Sequence, residues 1–329
     1  MAFRVLFVGG SGQISLPCVV SAVAAGHDVT VLNRGRSAVS LPSSVTRKTG
    51  DMTDVRSYRE AADGAYDVVC QFLVFEPQQA ARDIALFAGK TGQYIFISSA
   101  SAYRKPVTDC PITEAVPLDN PHWHYSRQKA ACEKMLLEQD RLPVTIVRPS
   151  HTIRTKFPTA LGESETAVSR MLRDLPVIVP GDGNALWTLT RAEDFAPPFV
   201  GLFGRVETLG EAYHLTSDHA YPWDAIYAAI GRAVGAVPDL VHVPTDNLVR
   251  FHPDWEGYLK GDKAYSVLFD NAKIKSVVGD FTCERDLDTL MQGPLEHWLA
   301  RGGADTARPS GNLDPLFDRI IALQSRVQP

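Results

Sequence analysis

Apolar residues in the first half of the chain fall in short unbroken runs: Phe3–Val8, Asp28–Leu32, Asp67–Leu73, Gln93–Ser98 and Val144–Arg148. Runs of this length that do not alternate predict strands buried on both faces, as in a parallel sheet. Between the first two runs, Leu16, Val19, Val20 and Val23 recur at helical spacing, and Gly26 marks the helix end. The unit reads strand–helix–strand, and its repetition predicts a doubly wound α/β sheet.

The rhythm changes near residue 150. Pro and Gly punctuate KFPTALGE, LPVIVPGDGN and APPF, and the strands become short and isolated: Val177–Val179, Trp187–Thr190, Tyr213–Thr216 and Leu240–Val243. We expect residues 1–175 to form a dinucleotide-binding domain and 176–329 mainly a smaller mixed substrate domain, with 187–205 returning to the first. The stretch 300–312 reads as a flexible linker. Beyond it Leu313, Leu316, Phe317, Ile320, Ile321 and Leu323 form a helical stripe that should dock on the body or on a second subunit.

Composition narrows the classes. The 329 residues are 45% hydrophobic and 22% charged, as in an ordinary globular protein. A net charge of −5 gives no overall attraction to nucleic acid or an anionic membrane. No apolar stretch reaches the roughly 20 residues of a membrane span, and the start MAFRVLFVGG enters a strand directly. The five cysteines are scattered, without a CxxC pair, which suggests a reducing cytoplasm and no metal site.

Candidate chemistry begins at Gly9-Gly10-Ser11-Gly12-Gln13-Ile14-Ser15, between the first strand and its helix. Glycines there let the backbone approach a pyrophosphate, and the helix N-terminus offers free N–H groups. In a strand–helix–strand context this is a dinucleotide (Rossmann) fingerprint, with Ser15 at the third glycine position. At the end of the second strand an acid would bind ribose hydroxyls. Asn33 stands there, followed by Arg34 and Arg36. Two guanidiniums without a carboxylate suit a 2′-phosphate, which tilts the reading from NAD toward NADP(H). Asp51, before Met52, is placed to accept from an adenine amino group.

A second constellation follows. YIFISSASAY ends a strand at Ser98-Ser99, and HYSRQK places Tyr125 and Lys129 four apart on a helix expected to start near Asn120-Pro121. A tyrosine with an ordinary pKa near 10 is a poor base at neutral pH, and an adjacent ammonium lowers it. A serine hydroxyl can then position a substrate oxygen.

In GGSGQIS, the GDM turn, ISSASAY, YSRQK, RPS at 148–150, GDGNALWTLTRAEDFA and KGDKAYSVLFDNAKIKSVVG, the chain resembles the short-chain dehydrogenase/reductase superfamily. The similarity is to its extended or atypical branch, the NAD-dependent epimerase/dehydratase group. That resemblance implies Tyr125 as acid/base, Lys129 as its partner and holder of the nicotinamide ribose, and Ser99 as the hydroxyl binding the reacting oxygen. It implies Gly9, Ser11, Gly12, Gln13 and Ile14 around the pyrophosphate. It also implies sugar or sugar-nucleotide epimerisation through a transient ketone, and a possible homodimer through the helix bearing Tyr125.

Departures from the group's pattern matter. Ala100-Ser101 replace the Asp-Glu pair of 4,6-dehydratases, so water elimination is not expected. Trp187 replaces an arginine that grips a diphosphate, and Lys260 replaces a second. Trp187 is then free to stack on a sugar, while Ser101, His151 and Lys260 remain candidate substrate contacts. Three readings stay open: an epimerase, a net NADP(H)-dependent ketone/alcohol oxidoreductase, and an RNA-binding protein like the superfamily's chloroplast stem-loop-binding branch. The intact Ser99/Tyr125/Lys129 set and the negative charge weigh against RNA.

Overall fold

The computed structural model describes residues 2–161, 164–306, 308–309 and 311–324. Seven parallel strands form the main sheet: β1 (Arg4–Val8), β2 (Asp28–Asn33), β3 (Thr46–Thr49), β4 (Tyr66–Gln71), β5 (Thr91–Ile97), β6 (Val144–Pro149) and, from the second half, β10 (Ala212–Leu215). Between β6 and β10 come β7 (His151–Ile153), β8 (Val177–Pro180) and β9 (Leu186–Arg191); β11 (Ala220–Pro222) and β12 (Leu240–Val243) follow. The main sheet runs β10-β6-β5-β4-β1-β2-β3. Strand order therefore reverses between β1 and β4, and a crevice opens beyond their C-terminal ends.

Both faces of this sheet are covered, which explains the unbroken apolar runs. Alternate residues serve opposite cores: Val5 and Phe7 of β1 pack on one side, Leu6 and Val8 on the other. The first side holds α1 (Ser15–Ala24), α6 (Ala192–Gly201) and α10 (Ala272–Val278), through Cys18, Phe195, Phe199 and Ile274. The second holds α2 (Val55–Ala62), α3 (Pro77–Phe87) and α4 (His124–Leu137), through Tyr58, Phe87, Cys132 and Leu136.

The rest of the chain builds two smaller sheets, β11-β9-β7 and β12-β8. Around them pack α5 (Ser164–Leu172), α7 (Trp223–Val234), α8 (Thr245–Phe251), α9 (Trp255–Tyr258), α11 (Leu287–Ala300) and α12 (Leu313–Gln324). Trp187 and Trp223 stack at the centre of this second core, ring centroids 5.2 Å apart. The strands β7 and β11, three residues each, carry too little pattern to be seen in sequence.

Two local expectations change. The Tyr-bearing helix starts at His124 rather than near Pro121. Asn120 instead uses its side-chain amide to donate to Ser101 O and Gly261 O, at 2.7 and 2.6 Å. Within the expected linker, Gly303–Thr306 forms a 3₁₀ turn with Gly303 buried.

The C-terminal stripe docks on the body. Phe317 and Ile320 of α12 are buried against Ile178, Val243 and Trp255. Arg170, fully buried on α5, anchors that helix with bonds of 2.7 Å to Asp314, Asp318 and Pro176 O. Without Arg170, Asp314 would keep its bond to Arg173 at 2.9 Å and Asp318 would face solvent, so the cost is that of lost charge-assisted hydrogen bonds, about 1.5–3 kcal/mol. Arg170→Met should lower unfolding stability by that order in a denaturant titration; a loss under about 1 kcal/mol would show that α12 docks by apolar contact alone.

Candidate active site

The glycine turn lies at the end of β1, on the strand-reversal crevice. Gly9 has φ +93°, and a Cβ there would stand 2.6 Å from Leu73 Cγ, so neither backbone nor space admits a larger residue. Ser15 does more than leave room: its hydroxyl accepts from Gly12 N at 2.8 Å and donates to Gly9 O, lacing the turn. The N-terminus of α1, at Ile14, carries no side-chain cap. Gln13 is tied outward, its Oε1 accepting from Thr155 N and Oγ1 at 3.2 and 2.6 Å. Arg154 Nε donates to Gln13 O at 3.1 Å. These braces come from the segment after β7 and hold the turn open.

A cavity of about 370 Å³ runs from this turn in two directions. One end is lined by Asn33, Arg34, Arg36, Asp51 and Met52, the other by Leu73 and Phe75. Asn33 caps its own bend, its Oδ1 accepting from Gly35 N at 2.9 Å. Asp51 is held below the usual carboxylate range, first by the Thr53 N–H and hydroxyl and then by the charges of Arg34 and Arg36. A cavity with a positive-φ glycine, an uncapped helix end and two arginines fits a nicotinamide dinucleotide.

Lys129 sits at the far end. It is buried, and its ammonium donates to Val74 O at 2.7 Å and Ile97 O at 2.8 Å. The Phe75 and Phe96 rings lie 4.5 and 4.8 Å from its Nζ. Burial pulls its pKa down to about 8.

Tyr125, one turn earlier on α4, is half-buried beside Phe75 and Trp123. Contrary to the sequence expectation, its phenol is pushed up from its ordinary value. Burial is the main cause, the Ser99 hydroxyl opposes it, and the charge of Asp262 adds to it. The Lys129 ammonium, bonded to two carbonyls and 5.9 Å from the Tyr125 ring centroid, does not reverse this. The phenol is thus a proton donor at neutral pH.

Ser99 and Tyr125 therefore face each other, with Lys129 behind. Ser101 is not a substrate contact here: it is buried, and its hydroxyl bridges Ser99 at 2.9 Å and Ser126 at 2.8 Å. Trp187 cannot stack on a substrate either, being 2% exposed in the second core. It instead donates from Nε1 to His151 Nδ1 at 2.9 Å. Since indole only donates, His151 must accept at Nδ1 and carry its proton on Nε2. Burial, with the Lys263 charge second, pulls its pKa to about 3, so it is a neutral donor. Lys260 also lies elsewhere, paired with exposed Asp246 at 2.6 Å.

The residues that take its place are Asp262 and Lys263, two and three positions on. Leu259–Lys263 is a π-helical turn, whose wider spacing sends Lys260 outward and Asp262 toward Tyr125. A 3.6-residue period cannot reveal such a turn, although KGDK had already stood out as a motif. Burial raises the Asp262 carboxyl to about 6, against the neighbouring charges of Lys105 and Lys263.

A glycine turn at the strand-reversal crevice, with Tyr125 and Lys129 packed on Phe75 at the edge of its cavity, is the arrangement of a nicotinamide-dependent enzyme. The family model of NAD dependent epimerases and dehydratases matches residues 5–215, and the chain belongs to that family. It is similar to the 2′-dehydrokanamycin reductase of Streptomyces kanamyceticus, 28% identical across 98% of this chain and 92% of that protein. It is also similar to an Arabidopsis thaliana chloroplast stem-loop binding protein, 26% identical across 73% of this chain and 65% of that one. In fold it matches UDP-glucose 4-epimerase of Bifidobacterium longum, solved with NAD+ and UDP. There the TM-score is 0.68 at 19% identity, over 91% of this chain and 99% of the other.

The depressed Lys129 pKa has a measurable consequence. A lysine whose folded pKa lies below its ordinary value is charged below that point and neutral above it. Nicotinamide-cofactor affinity, read by fluorescence titration, should hold up to about pH 7, begin to fall through pH 8 and weaken about tenfold toward pH 10 as the ammonium donor is lost. The same decline in Lys129→Met would assign it to another group.

Proposed function

We propose that this protein exchanges hydride between a nicotinamide dinucleotide and a secondary alcohol or ketone on a sugar-like substrate. One observation carries the reading: the cavity that Arg34, Arg36 and the glycine turn line reaches Phe75, and Phe75 packs against Tyr125 and Lys129, with Ser99 at the phenol. When bound, the nicotinamide supplies or takes the hydride. The chain does the rest. Ser99 Oγ–H orients the carbonyl oxygen, and Tyr125 O–H gives it a proton as the carbon is reduced. In oxidation the proton returns from the substrate hydroxyl to Tyr125. Lys129 and the glycine turn hold the cofactor, and Phe75 shields it from water.

Epimerisation and net reduction use this same step and differ in whether the cofactor leaves. Family membership supports the first. Two observations favour the second, with NADP(H) as the exchanged cofactor. Arginines replace the ribose-binding acid, and the full-length relative is named for a reduction. With Trp187 buried and Lys260 turned to Asp246, the chain lacks the diphosphate grip expected at those positions. This supports a sugar without a nucleotide. A cytoplasmic setting, no nucleic-acid partner and a homodimer through α4 complete the reading, supported by the net charge of −5 and by the family resemblance.

Tyr125→Phe should leave NADPH binding within about twofold and lower turnover of a keto sugar by about 10²–10⁴-fold. Retention of most turnover would remove Tyr125 from the chemistry. Arg34→Ala with Arg36→Ala should weaken NADPH by about tenfold or more while sparing NADH. Equal losses would contradict a 2′-phosphate contact.

A further inference from the structure

Near Tyr125 lie charged groups that the hydride step does not use: the charge of Asp262 acts on the phenol, and those of Lys105 and Lys263 act on Asp262. Lys105, in the chain after Ser101, is 4% exposed, yet its Nζ has no hydrogen-bond partner. A buried ammonium without a hydrogen-bond acceptor is costly, and the charge of Asp262 acts on this one only from beyond ion-pair distance. Asp262, on the π-helical turn, makes no side-chain hydrogen bond and no ion pair within 4 Å among the described residues, although the charges of Lys105 and Lys263 act on it. Lys263 differs: its Nζ already donates to Thr159 O at 3.2 Å.

This arrangement is held in place from both sides. Asn120 bonds Ser101 O and Gly261 O, joining the serine turn to the π-helical turn. The side chain of Trp123 fills the space over Gly257 and Gly261, where a Cβ would fall 2.4 and 2.7 Å from it. Trp223 Nε1 fixes Lys263 O at 3.0 Å. The turn is thus clamped while Lys105 and Asp262 remain unpaired.

Lys105 N donates to Asp119 O at 3.1 Å and the next residue, Asn120, holds Gly261 O, so the two unpaired groups stand on adjoining segments, and a ligand between them must satisfy a donor and an acceptor. A substrate carboxylate or phosphate would accept from Lys105 but confront Asp262. A substrate ammonium would donate to Asp262 but confront both lysines. A neutral hydroxyl does both, accepting from an ammonium and donating to a carboxylate. We propose that Lys105 and Asp262 form a substrate subsite that grips an uncharged sugar hydroxyl near the reacting carbon, bridging Lys105 Nζ–H to the Asp262 carboxylate. The subsite rests on the sugar reading above. It makes the part of the ring beside Tyr125 a neutral polyol, whatever charges the substrate carries further out.

The test uses full-length protein saturated with NADP+ and titrated by calorimetry with glucose, glucuronate, glucosamine and glucose 1-phosphate. Glucose should bind at least as tightly as the three charged sugars. Lys105→Met, which keeps the apolar stem, should weaken glucose about tenfold or more with NADP+ affinity unchanged, and Asp262→Asn should do likewise. Because Lys105→Met removes an unpaired buried charge, its melting temperature should hold or rise; a purely structural lysine would show a fall. Tighter binding of a charged sugar, or unchanged glucose binding in Lys105→Met, overturns the subsite while leaving the sugar reading intact. Failure of all four sugars to bind the NADP+-loaded protein overturns both.

Discussion

The burial of one ammonium organises this site. Lys129 lies inside the protein, and its charge is tolerable there only because Val74 O and Ile97 O accept its protons. Those carbonyls belong to the chain after β4 and to the end of β5, while the lysine belongs to α4. The two bonds therefore fix α4 against the sheet at the strand-reversal crevice. Tyr125, one turn away on the same helix, inherits its place from them. The same two bonds leave the ammonium one proton for a ligand.

A second joint sets the opposite wall. Asn120 and Trp123, just ahead of α4, clamp the π-helical turn 259–263 against the serine turn that carries Ser99. The chain thus returns to the main sheet from about 140 residues away to complete the substrate side. The buried Trp187–His151 bond contributes from the second core, orienting a neutral imidazole without touching ligand itself. The glycine-turn side and the π-turn side consequently meet at Tyr125, each braced by hydrogen bonds that cross between sequence-distant segments.

Much of this was legible in sequence. Buried parallel strands announce themselves by unbroken apolar runs, since residues facing both cores must be apolar; Val5 to Val8 show it within one strand. The glycine turn and the spacing of Tyr125 and Lys129 carry chemistry in short local windows. What stayed hidden depends on long-range geometry. The raised phenol of Tyr125 follows from burial, which spacing does not encode. Trp187 gave no local sign of whether it lined the site or filled the core. Lys260 was misplaced because a π turn shifts which side chain faces inward, and Lys105 sat in a loop with no period at all.

The central claim is that one dinucleotide spans the slot from Arg34 and Arg36 to Tyr125. A crystal structure of the protein with NADPH tests it most directly. The account predicts the 2′-phosphate between the two guanidiniums, the nicotinamide ribose within hydrogen-bond distance of Lys129 Nζ, and the ring facing Tyr125 Oη. A 2′-phosphate turned to solvent away from both arginines, or a nicotinamide outside the reach of Tyr125 and Lys129, would contradict it.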